Sequence, residues 1–241
     1  MAAVTLLQAT GLTRHFGGLR AIDEVDFDLR SGEIHALIGP NGAGKTTFVS
    51  MLCGRVLPQS GKINFAGEDV THLPAHDRVA RGIAYTFQIT SIYARLSAFD
   101  NVALAVQRRS AKNLHQNTHA ALARVGLAQL SQQIAGTLSY GHQRLLEIAM
   151  GLALVPRLLI LDEPTQGLAG PEIEAFKTLI QSLVPQTTIL LIEHNMDVVM
   201  DLAHRITVLN SGTVLARGTP VEVRANAAVQ AAYLGSDHAA D

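Results

Sequence analysis

Residues 39–47 read Gly39, Pro40, Asn41, Gly42, Ala43, Gly44, Lys45, Thr46 and Thr47, and through Thr46 they fit G-x-x-x-x-G-K-[ST]. That spacing serves phosphate chemistry. Glycines let successive backbone N–H groups wrap phosphate oxygens, Lys45 can reach the β- and γ-phosphates, and the Thr46 hydroxyl is a hard oxygen ligand suited to Mg²⁺. An ordinary glycine turn ahead of a helix would use the same glycines. The flanks argue for the first reading. "EIHALIG" is a short, nearly all-apolar strand before the loop, and "TTFVSMLC" after it reads as a helix that Gly54 is placed to end.

Other polar residues close two further apolar runs. Asp162 ends "LLIL", so its carboxylate emerges at the C-terminal edge of a buried strand, where α/β sheets bind ligands, and it can serve Mg²⁺. Glu163 follows on a different bearing and can take the proton of an attacking water. Solvated loop acids are the bland alternative; the apolar residues before them and Pro164 after them speak against it. His194 follows "TTILLIE" in a comparable place, although a single histidine at a strand end more often serves structure. A third feature is "LSYGHQRLLEIAM". Ser139 is placed to cap a helix, and Gly141 and His142 fall in its first turn, where outward N–H groups make an anion site.

These groups need a scaffold. "VTLLQATGL" and "AIDEVDFDL" alternate as strands, with Val25, Phe27 and Leu29 on one face of the second. The buried runs around Asp162 and His194 are further strands separated by helical sequence, which predicts an α/β core. Between about residues 89 and 151 the pattern changes: "FDNVALAVQRRS", "HAALARVGLAQL" and the "LSYGH" segment all read as helices. We expect one domain over residues 1–241, with a core from 1–88 and 152–241 and a helical subdomain inserted at 89–151. "RITVLNSGTVLARG" predicts a hairpin turning at Asn210, Ser211 and Gly212, "PVEVRANAAVQAAYL" a closing helix, and Asp237–Asp241 a frayed tail.

Composition narrows the function classes. Of 241 residues, 48% are hydrophobic and 16% charged, so the chain is core-rich or keeps broad faces for partners. A net charge of −1 gives no support to a general nucleic-acid surface, and no nucleic-acid partner is expected. The single cysteine, Cys53, lies in an apolar stretch and reads as a buried, inert thiol. The N-terminus lacks the pattern of a secretory signal and no apolar run reaches membrane-spanning length, so any membrane attachment is expected through other chains.

Together the motifs resemble those of ATP-binding cassette (ABC) proteins. "LSYGH" is similar to their LSGGQ signature and starts 24 residues before Asp162, a spacing typical of that family. Phe16 in "RHFGG" matches the aromatic that stacks on adenine, Gln88 in "YTFQIT" the Q-loop glutamine, and His194 in "LLIEHNMD" the switch histidine. The resemblance implies a P-loop cassette with a RecA-like α/β core, an N-terminal antiparallel β subdomain and an inserted helical subdomain. It implies ATP and Mg²⁺ as cofactors, Glu163, His194 and Gln88 as the catalytic set, and Thr46, Gln88 and Asp162 around the metal. Two cassettes, identical or paralogous, would face each other head to tail, so that Ser139, Gly141 and His142 address the γ-phosphate held by the other subunit.

Four segments, "FGGLRAIDEVDFDL", "YTFQITSIYARLSAFDNVALAVQ", "LSYGHQRLLEIAM" and "RGTPVEVRANAAVQAAYLG", look like the ATPase subunits of branched-chain amino-acid importers. On that resemblance the partners are integral membrane permease subunits and, indirectly, a solute-binding protein. The location is peripheral, on the cytoplasmic face of the inner membrane. Urea or amide importers and the lipopolysaccharide-export ATPase look alike over much of the same sequence, and a soluble cassette acting as a conformational switch on a scaffold stays open beside them. Two departures stand out: His142 replaces the usual signature glutamine, and Ala169 in "DEPTQGLAGPE" replaces the D-loop aspartate. His142 reads equally as a donor to phosphate or partner and as a solvated first-turn residue.

Overall fold

A computed structural model describes residues 4–86, 91–109 and 112–234. Apolar alternation builds a long antiparallel hairpin from β1 (Thr5–Phe16) and β2 (Leu19–Arg30). Val25, Phe27 and Leu29 are buried as expected, but so is Ile22, three residues before Val25. The alternation is re-phased at Glu24, which takes φ 50° where the pairing register shifts. A bulge of this kind lets both halves of one strand face the same core.

The all-apolar run after it is β3 (Ile34–Ile38), buried at every position, and the phosphate loop leads into α1 (Lys45–Leu52). Gly54 ends that helix at φ 73°. Then come β4 (Ser60–Phe65), β5 (Glu68–Asp69), α2 (Ala75–Ala80) and β6 (Ile83–Tyr85). The helical stretch comprises α3 (Ala98–Arg109), α4 (Leu114–Arg124) and α5 (Tyr140–Ala153), with short 3₁₀ turns at Ala128–Leu130 and Ala135–Thr137. Ser97 and Asp100 cap the start of α3 through the Ser97 hydroxyl, which accepts from the Asp100 N–H. Where "HAALARVGLAQL" reads as one helix, α4 stops at Arg124, because Gly126 takes φ 78° and turns the chain into a 3₁₀ segment.

The chain returns to the sheet with β7 (Leu158–Asp162), α6 (Gly170–Leu183), β8 (Thr188–Ile192) and α7 (Met196–Leu202). β9 (Arg205–Asn210) and β10 (Thr213–Gly218) form the expected hairpin, with Ser211 (φ 47°) and Gly212 (φ 79°) as its two-residue loop. The closing helix is two helices, α8 (Pro220–Arg224) and α9 (Ala227–Leu234). Asn226 breaks it, because its side-chain oxygen accepts from the N–H groups of Ala228 and Val229 and so starts a new helix. The tail at Asp237–Asp241 lies outside the described residues.

Among the described residues the strands form two sheets. One is antiparallel, in the order β2-β1-β4-β5; the other runs β10-β9-β3-β8-β7-β6 and is parallel except for β10. One core joins the antiparallel sheet and α1 to the larger sheet through residues such as Phe27, Phe48, Phe65 and Ile160. A second packs α3, α4 and α5 with Leu159, Leu161 and Phe176. The α/β core, the antiparallel β subdomain and the helical insertion are thus all present, and they set α1 and the C-terminal ends of β3, β7 and β8 side by side.

Candidate functional site

The phosphate loop has the backbone its glycines imply. At Gly39 (φ 154°) a Cβ would run into the Leu209 carbonyl, and at Gly44 (φ 101°) into that of Ala21. Neither position admits a side chain. Lys45, almost wholly buried, folds back along the loop and donates from Nζ to the carbonyls of Gly39 (2.7 Å) and Pro40 (3.0 Å). Burial lowers its pKa, opposed by the charges of Glu163 and Asp162. The floor below is fixed by a residue that sequence patterning missed. Arg78 is fully buried, and its guanidinium donates to the carbonyls of Met51 and Leu52 at the C-terminal end of α1 and to those of Thr71 and Leu73. A charged residue in a six-residue helix gives no apolar signal by which to find it.

Asp162 and Glu163 leave β7 in different directions, because Glu163 adopts φ 48° while its N–H donates to the Ile192 carbonyl. Asp162 is buried and accepts a 2.7 Å bond from the Tyr85 hydroxyl. Burial raises its pKa, the Tyr85 bond opposes this, and the neighbouring Glu163 raises it further. Burial and the same bond push the Tyr85 phenol well above its ordinary value, so it stays a donor. Glu163 Oε1 meets His194 Nε2 at 2.6 Å. Tyr85 sits in a three-residue strand, too short for the pattern to register.

His194 is positioned by its predecessor. Glu193, buried at the end of β8, accepts from the Thr165 N–H and hydroxyl on one oxygen and from the N–H groups of His194 and Asn195 on the other. One carboxylate thereby ties the loop after β7 to the loop after β8. It follows an apolar strand directly, which is the signal that could have found it.

Asn41 to Thr47, Glu163 and His194 share a cleft of about 330 Å³ with Leu19 and Ala21. Phe16 stands beside it, facing Leu19 across the tip of the β1–β2 hairpin, with its ring exposed and the Arg14 guanidinium 4.8 Å from the ring centre. Gln88 lies outside the described residues. The signature residues do not enter this cleft. Ser139 caps α5 by accepting from the His142 N–H at 3.3 Å, and Gly141 and His142 line a different cavity, between α5 and α6. Gly141 lies against the Glu172 carboxylate, which also accepts from the Ala169 N–H at the start of α6.

The donor set suits Mg²⁺ held jointly with phosphate. Thr46 and Asp162 offer hard oxygens, and two adjacent carboxylates with a raised Asp162 favour a cation nearby. Among the described residues no group of three or more His, Cys, Asp or Glu could hold a metal alone. Among the same residues no helix is long and apolar enough to cross a membrane.

Known proteins are similar to this chain in sequence and fold. The ABC transporter family profile matches residues 22–166, and that of the branched-chain amino acid ATP-binding cassette transporters matches residues 213–239. The high-affinity branched-chain amino acid transport ATP-binding protein BraF of Pseudomonas aeruginosa is 38% identical, over 95% of this chain and 98% of its own length. LivG of Escherichia coli K12, of the same description, is 38% identical over the same shares. The lipopolysaccharide export system ATP-binding protein LptB of that strain is 34% identical over 96% and 98%. In fold, the chain superposes on the ADP conformation of MJ1267, an ATP-binding cassette of an ABC transporter, with TM-score 0.88, covering 96% of this chain and 99% of that one at 24% identity. The chain belongs to the ABC transporter family and is one of its nucleotide-binding ATPase cassettes.

Proposed function

We propose that this chain hydrolyses ATP to energise the import of branched-chain amino acids through separate membrane subunits. The observation that carries the reading is the match of residues 213–239 to the branched-chain cassette profile, at the end of a chain whose cleft joins a phosphate loop to the Glu163–His194 pair. In this reading residues 1–88 and 152–241 form the nucleotide-binding core and 89–151 the helical subdomain that meets the permease.

The backbone N–H groups of residues 41–47 cradle the phosphates, and Lys45 exchanges its loop carbonyls for β- and γ-phosphate oxygens. Thr46 and Asp162 would hold Mg²⁺, with Gln88 added on family resemblance; the ion would supply charge neutralisation at the phosphates. Glu163 accepts the proton of the attacking water, and His194 holds Glu163 in place and senses the γ-phosphate. Phe16 offers its free face to adenine, a stack worth about 1–3 kcal/mol by analogy with base stacking elsewhere. Gln88 links the site to the membrane subunits. Ser139, Gly141 and His142 act on the nucleotide of a second cassette, which accords with their separation from the cleft of their own chain.

The similarity to LptB keeps a lipopolysaccharide-type exporter as the second reading. Affinity purification of the tagged chain from solubilised membranes of its source, with every co-purifying chain identified, separates the two. Polytopic permeases with a solute-binding protein support import at the cytoplasmic face of the membrane. Permeases of an envelope-lipid exporter would replace that reading, and recovery of soluble partners alone would overturn transport.

A further inference from the structure

Arg81, Arg108, Arg109 and Arg157 line one cavity of about 540 Å³ that shares no residue with the phosphate-loop cleft. They are contributed by the end of α2, the last turn of α3 and the entry to β7. Among the described residues no acidic side chain lines it. In a chain of net charge −1, four like charges around one hollow are a local departure.

Among the described residues only one is neutralised by a carboxylate: Arg81 Nε lies 3.0 Å from Glu68, at the exposed rim. Arg108 donates to the His76 carbonyl at 3.3 Å and Arg157 lies 5.7 Å from the centre of the Phe65 ring, contacts that aim the guanidinium and leave its charge in place. Arg109 makes no hydrogen bond or ion pair among the described residues. The C-terminal dipoles of α2 and α3 offset about half a charge each, so roughly two positive charges stay uncompensated.

Two charges presented on planar forks suit a phosphate group, whose several oxygens can serve more than one guanidinium at once, where a single carboxylate fills one fork. The hollow also has an apolar side formed by Val79, Leu154 and Val155, the last 61% exposed. Arg108 and Leu154 extend from it into a neighbouring groove lined by Tyr85, Glu147 and Met150. The geometry points to a phosphate-binding site that takes the headgroup of an anionic phospholipid, the forks on the phosphate and the apolar side against the glycerol backbone. The lipid as the source of that phosphate rests on the transporter reading; the phosphate chemistry does not.

The test is co-sedimentation of the full chain with phosphatidylcholine vesicles made with or without phosphatidylglycerol, ADP and Mg²⁺ being saturating so that the phosphate loop is filled. Wild type binds the phosphatidylglycerol vesicles preferentially. The Arg109→Glu, Arg157→Glu double variant loses at least about twentyfold of that affinity, about fivefold per arginine, while basal ATP hydrolysis reports that it is folded. Arg124→Glu, a charge reversal at an exposed arginine on α4, retains the preference. Equal binding to the two vesicle types, or unchanged binding by the double variant, overturns the lipid site. Thermal stabilisation by inorganic pyrophosphate that the double variant lacks, without any vesicle preference, upholds the phosphate site and overturns the lipid as its source. Stabilisation by a glutamate-rich peptide alone overturns the phosphate class altogether.

Discussion

Across the ends of β7 and β8, His194 Nε2 lies 2.6 Å from Glu163 Oε1. The carboxylate that would receive a proton from water is thus held by an imidazole in the loop after the neighbouring strand. Glu163→Gln keeps the shape and the histidine contact but removes the basic oxygen. ATP affinity should be retained while turnover falls at least about a hundredfold. His194→Ala leaves the base in place but removes its imidazole contact, so turnover should also fall, with nucleotide binding kept. Single-turnover hydrolysis and equilibrium binding of a fluorescent ATP analogue check both, and near-normal turnover in Glu163→Gln would assign the base elsewhere.

Glu193 should matter as a positioning residue. Each of its oxygens accepts two bonds from the loops it ties together, and the residue is 3% exposed. In Glu193→Gln one oxygen becomes an amide that faces N–H donors. A buried donor left without an acceptor costs about 1–3 kcal/mol. We expect a lower unfolding free energy by about that amount and a fall in kcat with little change in ATP affinity. Denaturant titration and steady-state kinetics read the two separately, and an unaltered kcat would confine Glu193 to stability.

What the sequence showed in advance divides along physical lines. The phosphate loop, Asp162, Glu163 and His194 were legible because each follows a buried strand, where an apolar run marks both the element and its functional end. The Ser139 cap was legible because its chemistry is local, spanning one helical turn. Arg78 and Tyr85 escaped for the opposite reason: their partners lie 27 and 77 residues away, and no short-range pattern announces them. Glu193 directly follows β8 and carries the same strand-end signal as His194, but its partner Thr165 lies on another loop. The break at Asn226 was missed because a helix-forming composition continues through it, while an asparagine side chain bonding two residues ahead decides the geometry. Glu24 illustrates the same limit in a strand, where one residue at φ 50° shifts the phase that alternation assumes.

Lys45 is predicted to be indispensable for binding rather than for the chemical step alone. Its ammonium is held against the Gly39 and Pro40 carbonyls by two bonds that phosphate oxygens can replace at little reorganisation. Lys45→Ala removes a buried charge aimed at the phosphates. Calorimetric titration should show ATP binding weakened at least about a hundredfold, the roughly 3 kcal/mol of a charge-assisted hydrogen bond. Wild-type affinity in this variant would remove the phosphate-loop assignment.

His35 should give the fold an acid-sensitive element far from the chemistry. It is fully buried in β3, with Nδ1 donating to Glu33 Oε1 at 3.3 Å and Nε2 accepting from the Thr207 hydroxyl at 2.8 Å, an arrangement that one neutral tautomer satisfies. Burial lowers its pKa, Glu33 opposes this, and the charges of Arg205 and Arg217 lower it further. An unfolded chain takes up the proton near pH 6.5, whereas the folded chain resists it. Between those two values the unfolded state holds more protons, so stability falls as pH drops below about 6.5, by up to about 1.4 kcal/mol per pH unit for this one group. Glu33 also has a lowered pKa, but its contribution is lost only as pH falls through the carboxylate range, which leaves pH 5 to 6.5 to the histidine. Unfolding free energies of wild type and His35→Gln, each referred to its own value at pH 7.5, should therefore diverge over that interval, with the shallower slope in the variant. The reference at pH 7.5 cancels whatever the substitution costs in packing, so identical slopes would mean that His35 is protonated equally in both states and that its burial does not govern its charge.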